Sequence, residues 1–118
     1  MTGRRLFHII VIMGLSFALA GCDQQKIGDI TADPGSFQNK EVNVAGRVTQ
    51  SFGALGRGIY QIEDGTGSLW VLSETRGVPS KGALVGVKGR ITPTVTFMGQ
   101  NYATVMRESD RRAQNSAN

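Results

Sequence analysis

The chain holds one cysteine and one histidine in 118 residues. Cys22 closes the run Leu19-Ala20-Gly21-Cys22, behind an apolar segment and the pair Arg4 and Arg5. In that setting Cys22 reads as the attachment point of a lipid and not as a reactive thiol. The expected product is then a domain of 97 residues, since 21 of the 118 precede Cys22, held at a membrane by its first residue.

The leader has three parts. Met1 to His8 is short and basic, Leu6 to Ala20 is almost wholly apolar, and small residues precede the cysteine. This is the pattern of a cleaved signal peptide, here a signal helix over residues 1–21. A membrane span needs about 20 apolar residues, and this run is shorter. The four residues LAGC resemble the lipobox of bacterial lipoproteins. That resemblance implies a diacylglyceryl group on the Cys22 sulfur, cleavage before it, and acylation of the new amine. Two or more acyl chains make a stable anchor where one does not. The expected location is the periplasmic (extracytoplasmic) face of a bacterial cell membrane. Asp23 resembles the inner-membrane retention signal of enteric bacteria, with the outer membrane as the other option.

Loss of the leader changes the chemistry that remains. Removing Arg4 and Arg5 leaves 11 of the 13 Lys and Arg against all 9 Asp and Glu, so the net charge falls from +4 to +2. His8 goes with the leader. Without His or a free thiol, the Ser-His-Asp triad, Cys-His catalysis and His-based metal or haem ligation are excluded. No disulfide forms within one chain. Glu63 and Asp64 are adjacent, and neighbours on a strand point to opposite faces, so they do not form a paired-carboxylate site. No enzyme, metal or cofactor is expected beyond the lipid on Cys22.

The elements must therefore position a binding surface. Residues 22–26 read as a polar tether and 109–118 as a disordered tail, with a single domain over 27–108. Glu41 to Phe52 alternates, with Val42, Val44, Gly46 and Val48 on one parity, which argues a half-buried strand. Gly53 to Gly58 reads as a glycine-rich loop. Further strands are predicted at Ile59–Glu63, Ser68–Leu72, Ala83–Thr92 and Tyr102–Arg107, with Asp64-Gly65-Thr66-Gly67 as a hairpin turn. Pro93 is expected to end the fourth strand. No helical period follows the signal. Glycines at 46, 86 and 89 fall inside strands, as small barrels require where they bend.

The run Val42-x-Val44-x-Gly46-Arg47-Val48, the segment Tyr60-x-Ile62-x-Asp64-Gly65-Thr66-Gly67-x-Leu69-x-Val71 and the later Val85-x-Val87-x-Gly89-x-Ile91 together resemble the OB-fold. The match resembles the nucleic-acid-binding domains that accompany synthetase and helicase cores. It implies an all-β protein, a small five-stranded Greek-key barrel, with ligands on the face of strands two and three. If Tyr60, Ile62, Leu69 and Val71 point inward, then Ile59, Gln61, Glu63, Trp70 and Leu72 point out. The expected ligand-binding set is Arg47, Arg57, Ile59, Gln61, Trp70 and Arg76.

Two functions follow. One is a membrane-anchored, non-catalytic binding module, with an envelope protein or a small ligand as partner. The alternative is a single-strand nucleic-acid binder, which a net charge of +2 disfavours because such binding draws on a positive groove.

Overall fold

Along the first strand Val42, Val44 and Val48 are buried while their neighbours are exposed or half-buried, because successive residues of a strand face opposite ways. Four more strands join it to close a barrel. The computed structural model describes residues 24–114; the signal peptide, the Cys22 lipid site and Asp23 lie outside the described residues. The elements are α1 (Ile27–Ala32), a single 3-10 turn (Pro34–Phe37), then β1 (Glu41–Ala54), β2 (Arg57–Glu63), β3 (Ser68–Ser73), β4 (Leu84–Phe97) and β5 (Gln100–Ala113). The closed order is β1-β2-β3-β5-β4, with β4 returning to β1. Every pair is antiparallel except the short parallel seam of β3 and β5, Trp70–Val105 to Leu72–Arg107.

The barrel interior holds Val44, Val48, Tyr60, Ile62, Leu69, Val71, Val87, Ile91 and Met106, all nearly inaccessible. Closure needs β5 to cross close over β4. A side chain on Gly89 would collide with the Arg107 carbonyl oxygen, so this position takes no Cβ. Tyr60 brings a hydroxyl into the core and donates it to Glu108 Oε1 at 2.5 Å. Arg111 Nη1 donates to the same oxygen at 2.9 Å, while Oε2 has no protein partner. Burial first, then the hydrogen bond and charge of Glu108, hold the Tyr60 pKa far above that of an ordinary tyrosine, with Arg111 opposing.

Five sequence expectations change. A helix does exist, α1, and its Ile27 and Ile30 are fully buried in the barrel core. Two apolar residues in six positions are too few to show a period. Residues 109–113 are not a disordered tail, because β5 runs to Ala113 and pairs with the start of β4. The segment is polar because it is held by ladder hydrogen bonds and little burial. Gly53–Gly58 is mostly strand, and only Leu55 and Gly56 turn, both at positive φ (57° and 79°), as a tight two-residue hairpin requires. Pro93 does not end β4. Beyond Arg90 that strand has no β1 partner, so a residue without an N–H is tolerated there. Gln24 and Gln25 do not form a free tether: Gln24 bridges to Asn43, and the Gln25 amide donates to the Asn43 carbonyl at 2.7 Å.

Candidate binding site

The outer face of β2 and β3 is the region where the sequence places its ligand residues. Cross-strand register brings Gln50, Gln61, Trp70 and Val105 into one row, and Phe52, Ile59 and Leu72 into the next. A bulge between Val48 and Gln50 makes this possible. Strict alternation after Val48 would send Gln50 and Phe52 inward. The extra residue turns them to the outside, which is what a bulge does to a strand.

This face is not open to water along its whole length. The distal half of the β4–β5 hairpin lies against it, and Ile59, Leu72, Val95, Phe97 and Val105 form a second apolar cluster outside the barrel. Ile59 is fully buried there. Its assignment as a ligand contact is therefore corrected: it is floor beneath the site. Leu72 is buried in the same way. The parity is right, but a hairpin that continues beyond Pro93 covers the residues.

What stays accessible is a cleft of about 390 Å³ between the β1–β2 and β4–β5 hairpins, lined by Gln50, Phe52, Trp70, Phe97, Met98, Gln100 and Tyr102. Trp70 is its centre. Tyr102 meets the indole edge-on at 4.8 Å, and Phe52 lies nearly parallel to it at 6.5 Å. Among the described residues the large exposed apolar side chains are Phe52 (47%), Leu55 (100%) and Met98 (73%). Phe52 and Met98 line this cleft, and Leu55 sits on the adjoining hairpin turn. The Arg57 guanidinium lies 6.0 Å from the Phe97 ring centre. Gln61 accepts from Gln50 Nε2 at 3.0 Å and from the Thr49 hydroxyl at 3.2 Å, which fixes the amides at the cleft wall.

The expected ligand set thus divides. Trp70 lines the cleft, while Gln61 bonds to its Gln50 wall and Arg57 lies against the Phe97 ring without lining it. Arg47 is exposed elsewhere and donates to the Gly82 carbonyl at 3.3 Å. Arg76 pairs with Asp110 at 2.9 Å, away from the cleft lining. Sequence reading missed Phe52, Phe97, Met98 and Tyr102 as wall residues. Only the turn chemistry of Met98-Gly99, both at positive φ, signals that this hairpin continues. Asp64 is a turn residue. It accepts from the Thr66 amide and hydroxyl, and its other oxygen accepts from the Ile27 amide at 2.9 Å, tying α1 to the β2–β3 turn. Partial burial would raise its pKa, but the hydrogen bonds from Ile27, Thr66 and Gly67 outweigh that and lower it.

The barrel defines the protein's class as an all-β OB-fold. No family model matches the chain, and no curated protein matches it significantly. Solved structures do. One is a chain assigned as an aspartyl-tRNA synthetase from Leishmania major Friedlin, with a TM-score of 0.60 at 11% identity, over 76% of this chain. This chain corresponds to only about a fifth (20%) of that synthetase. Another is the OBody AM3L09, solved bound to hen egg-white lysozyme, with a TM-score of 0.53 at 21% identity, covering 68% of this chain and 86% of the OBody. At these identities the likeness establishes the fold.

Proposed function

We infer that the chain is a non-catalytic binding module, tethered by a lipid on Cys22 to the extracytoplasmic face of a bacterial membrane, that takes its ligand in the Trp70 cleft. One observation carries the binding reading. The exposed apolar residues Phe52 and Met98 line one cleft beside Trp70, on the face where OB-folds bind ligands. An exposed apolar cluster with a polar rim of Gln50 and Gln100 is the composition of an interaction site. The OBody, a fold relative, is solved bound to a protein, which supports a protein partner here. The membrane reading rests on the LAGC run and the leader. Asp23 supports retention at the inner membrane.

The binding reading is tested by crosslinking in intact cell envelopes from a photoreactive residue at Met98, compared with one at Lys81 outside the cleft. A defined partner trapped from Met98 and lost in Trp70→Ala supports the site. Equal capture from both positions removes it. The anchor is tested by fractionating cells that carry Cys22→Ser together with mass analysis of the Cys22 peptide. An unmodified peptide would end the lipid assignment.

A second reading is single-strand nucleic-acid binding. The stacked Phe52–Trp70 pair beside Arg57 favours it, because bases stack on aromatic platforms next to cations. Titration of a labelled single strand at two salt concentrations decides between them. Submicromolar binding with a steep salt dependence makes it the leading reading.

A further inference from the structure

The end of the barrel opposite the Trp70 cleft has the opposite chemistry. An open cleft of about 630 Å³ there is lined by Gln24, Lys26, Asn43, Lys88, Asp110 and Arg112, among others. Register sets Asn43 beside Lys88 and Lys88 beside Asp110, with Gly86 and Arg112 paired next to them. Among the described residues Lys26, Lys88 and Arg112 form no ion pair. The two carboxylates of the cleft are already engaged. Asp110 is held by Arg76 at 2.9 Å, and Asp64 by the Ile27 amide and Thr66. Arg76 offsets Asp110, while Asp64 stays ionised, so the three cations less one carboxylate leave the cleft with a net charge of about +2.

Its position gives that charge a destination. Gln24 is part of the cleft, and only Asp23 separates it from Cys22. Two residue steps span at most about 7 Å of chain, less than the roughly 8 Å over which salt screens a charge at physiological strength. A lipid on Cys22 would hold these three cations at the headgroup plane. Asp23 opposes them with one charge and leaves the excess positive.

We propose that this cationic cleft is a docking face for anionic phospholipid headgroups, which sets the barrel upright on its anchor. The proposal rests on the lipid-anchor reading of Cys22. Each unit of positive charge near an anionic leaflet is worth roughly fivefold in partition, so the net single charge left after Asp64 and Asp23 gives about a fivefold preference for contact. Leu55 lies twelve residues along β1 from Asn43, a contour of about 40 Å. With the cationic end on the headgroups, the Trp70 cleft faces outward, clear of the bilayer.

Lysine labelling of the full chain in vesicles tests this. Amine acetylation of Lys26 and Lys88 is read by mass spectrometry against Lys81 as internal reference. In phosphatidylglycerol vesicles at low salt, Lys26 and Lys88 label about fivefold more slowly than in phosphatidylcholine vesicles, and high salt removes the difference. Arg112→Glu, an exposed change that leaves the core intact, brings the protection below twofold. Equal labelling in both lipids overturns the proposal. Equal protection by inorganic phosphate in phosphatidylcholine vesicles also overturns it, because the cleft would then take a soluble anion. The Cys22 peptide in the same spectra reports the anchor separately. Protection with unmodified Cys22 keeps the face and removes the anchor reading, and lipidated Cys22 without protection does the reverse.

Discussion

The two faces of β2 and β3 each carry an apolar cluster, yet they solve different problems. The inner face, with Tyr60, Ile62, Leu69 and Val71, is enclosed by the whole barrel and capped by Ile27 and Ile30 of α1. The outer face, with Ile59, Leu72 and Trp70, is covered only by one hairpin, and its margin stays open at Phe52 and Met98. A half-covered sheet normally shows one wet face and one dry face. Here the second face is dry at its floor and exposed at its rim. Apolar area left unburied at that rim is free energy that a ligand gains on binding, about 25 cal/mol for each Å² it covers. The inner face specifies the fold; the outer face leaves apolar area unburied at its rim.

Substitutions on the two faces test that distinction, beginning with the largest effect. Ile62→Ala, in the enclosed cluster, is expected to cost about 3–4 kcal/mol in denaturant unfolding. Ile59→Ala removes an equally buried side chain from the outer cluster, where the hairpin can settle onto the gap. About 2 kcal/mol is expected, and a cost equal to that of Ile62 would show that the two clusters act as one core. Tyr60→Phe tests the one polar network of the inner face. It withdraws a donor from the buried Glu108 and is expected to cost about 1–2 kcal/mol. Asp64→Asn loosens α1 from the β2–β3 turn by about 1 kcal/mol at neutral pH. Because the folded pKa of Asp64 lies below its ordinary 3.8, this contribution is full above that value and is lost as the pH falls through the folded pKa. The stability gap between Asp64→Asn and the parent should therefore narrow in acid. Phe52→Ala should change stability least, by no more than about 0.5 kcal/mol, while removing the parallel ring beside Trp70 and weakening ligand capture. A large loss of stability there would make the rim part of the core.

Periodicity made the inner face legible, since the parities of Val42 to Val48, Tyr60 to Ile62 and Val85 to Ile91 are the parities of the barrel core. The hairpin at Asp64 to Gly67 was legible from its turn chemistry. The outer face was not, for reasons that lie outside any short window. A single bulge after Val48 reverses the parity of Phe52. The cover on Ile59 and Leu72 comes from residues more than twenty positions away, past a proline that reads as a stop. Of the expected ligand residues, Trp70 follows from fold and parity together, and so does Gln61, whose amide is bonded to the Gln50 wall. Arg47 follows from the parity of the first strand and Arg76 from its loop, and tertiary partners hold both away from the cleft.

The seam between β3 and β5 also governs how the barrel comes apart. It joins only three residue pairs, against seven between β1 and β4, and its strands lie thirty-five residues apart in sequence from Trp70 to Val105. Closing such a loop costs chain entropy before the pairing returns anything. The hairpins β1–β2, β2–β3 and β4–β5 are local and form without it. With fewer pairs than the equally long-range β1–β4 edge, the seam is expected to part first, and amide exchange along Val71 and Met106 would report its opening. Trp70 is both the first residue of that seam and the centre of the cleft. On the binding reading, a ligand seated across Trp70 and Tyr102 would bridge the two strands and so act as a latch that lengthens the lifetime of the closed barrel.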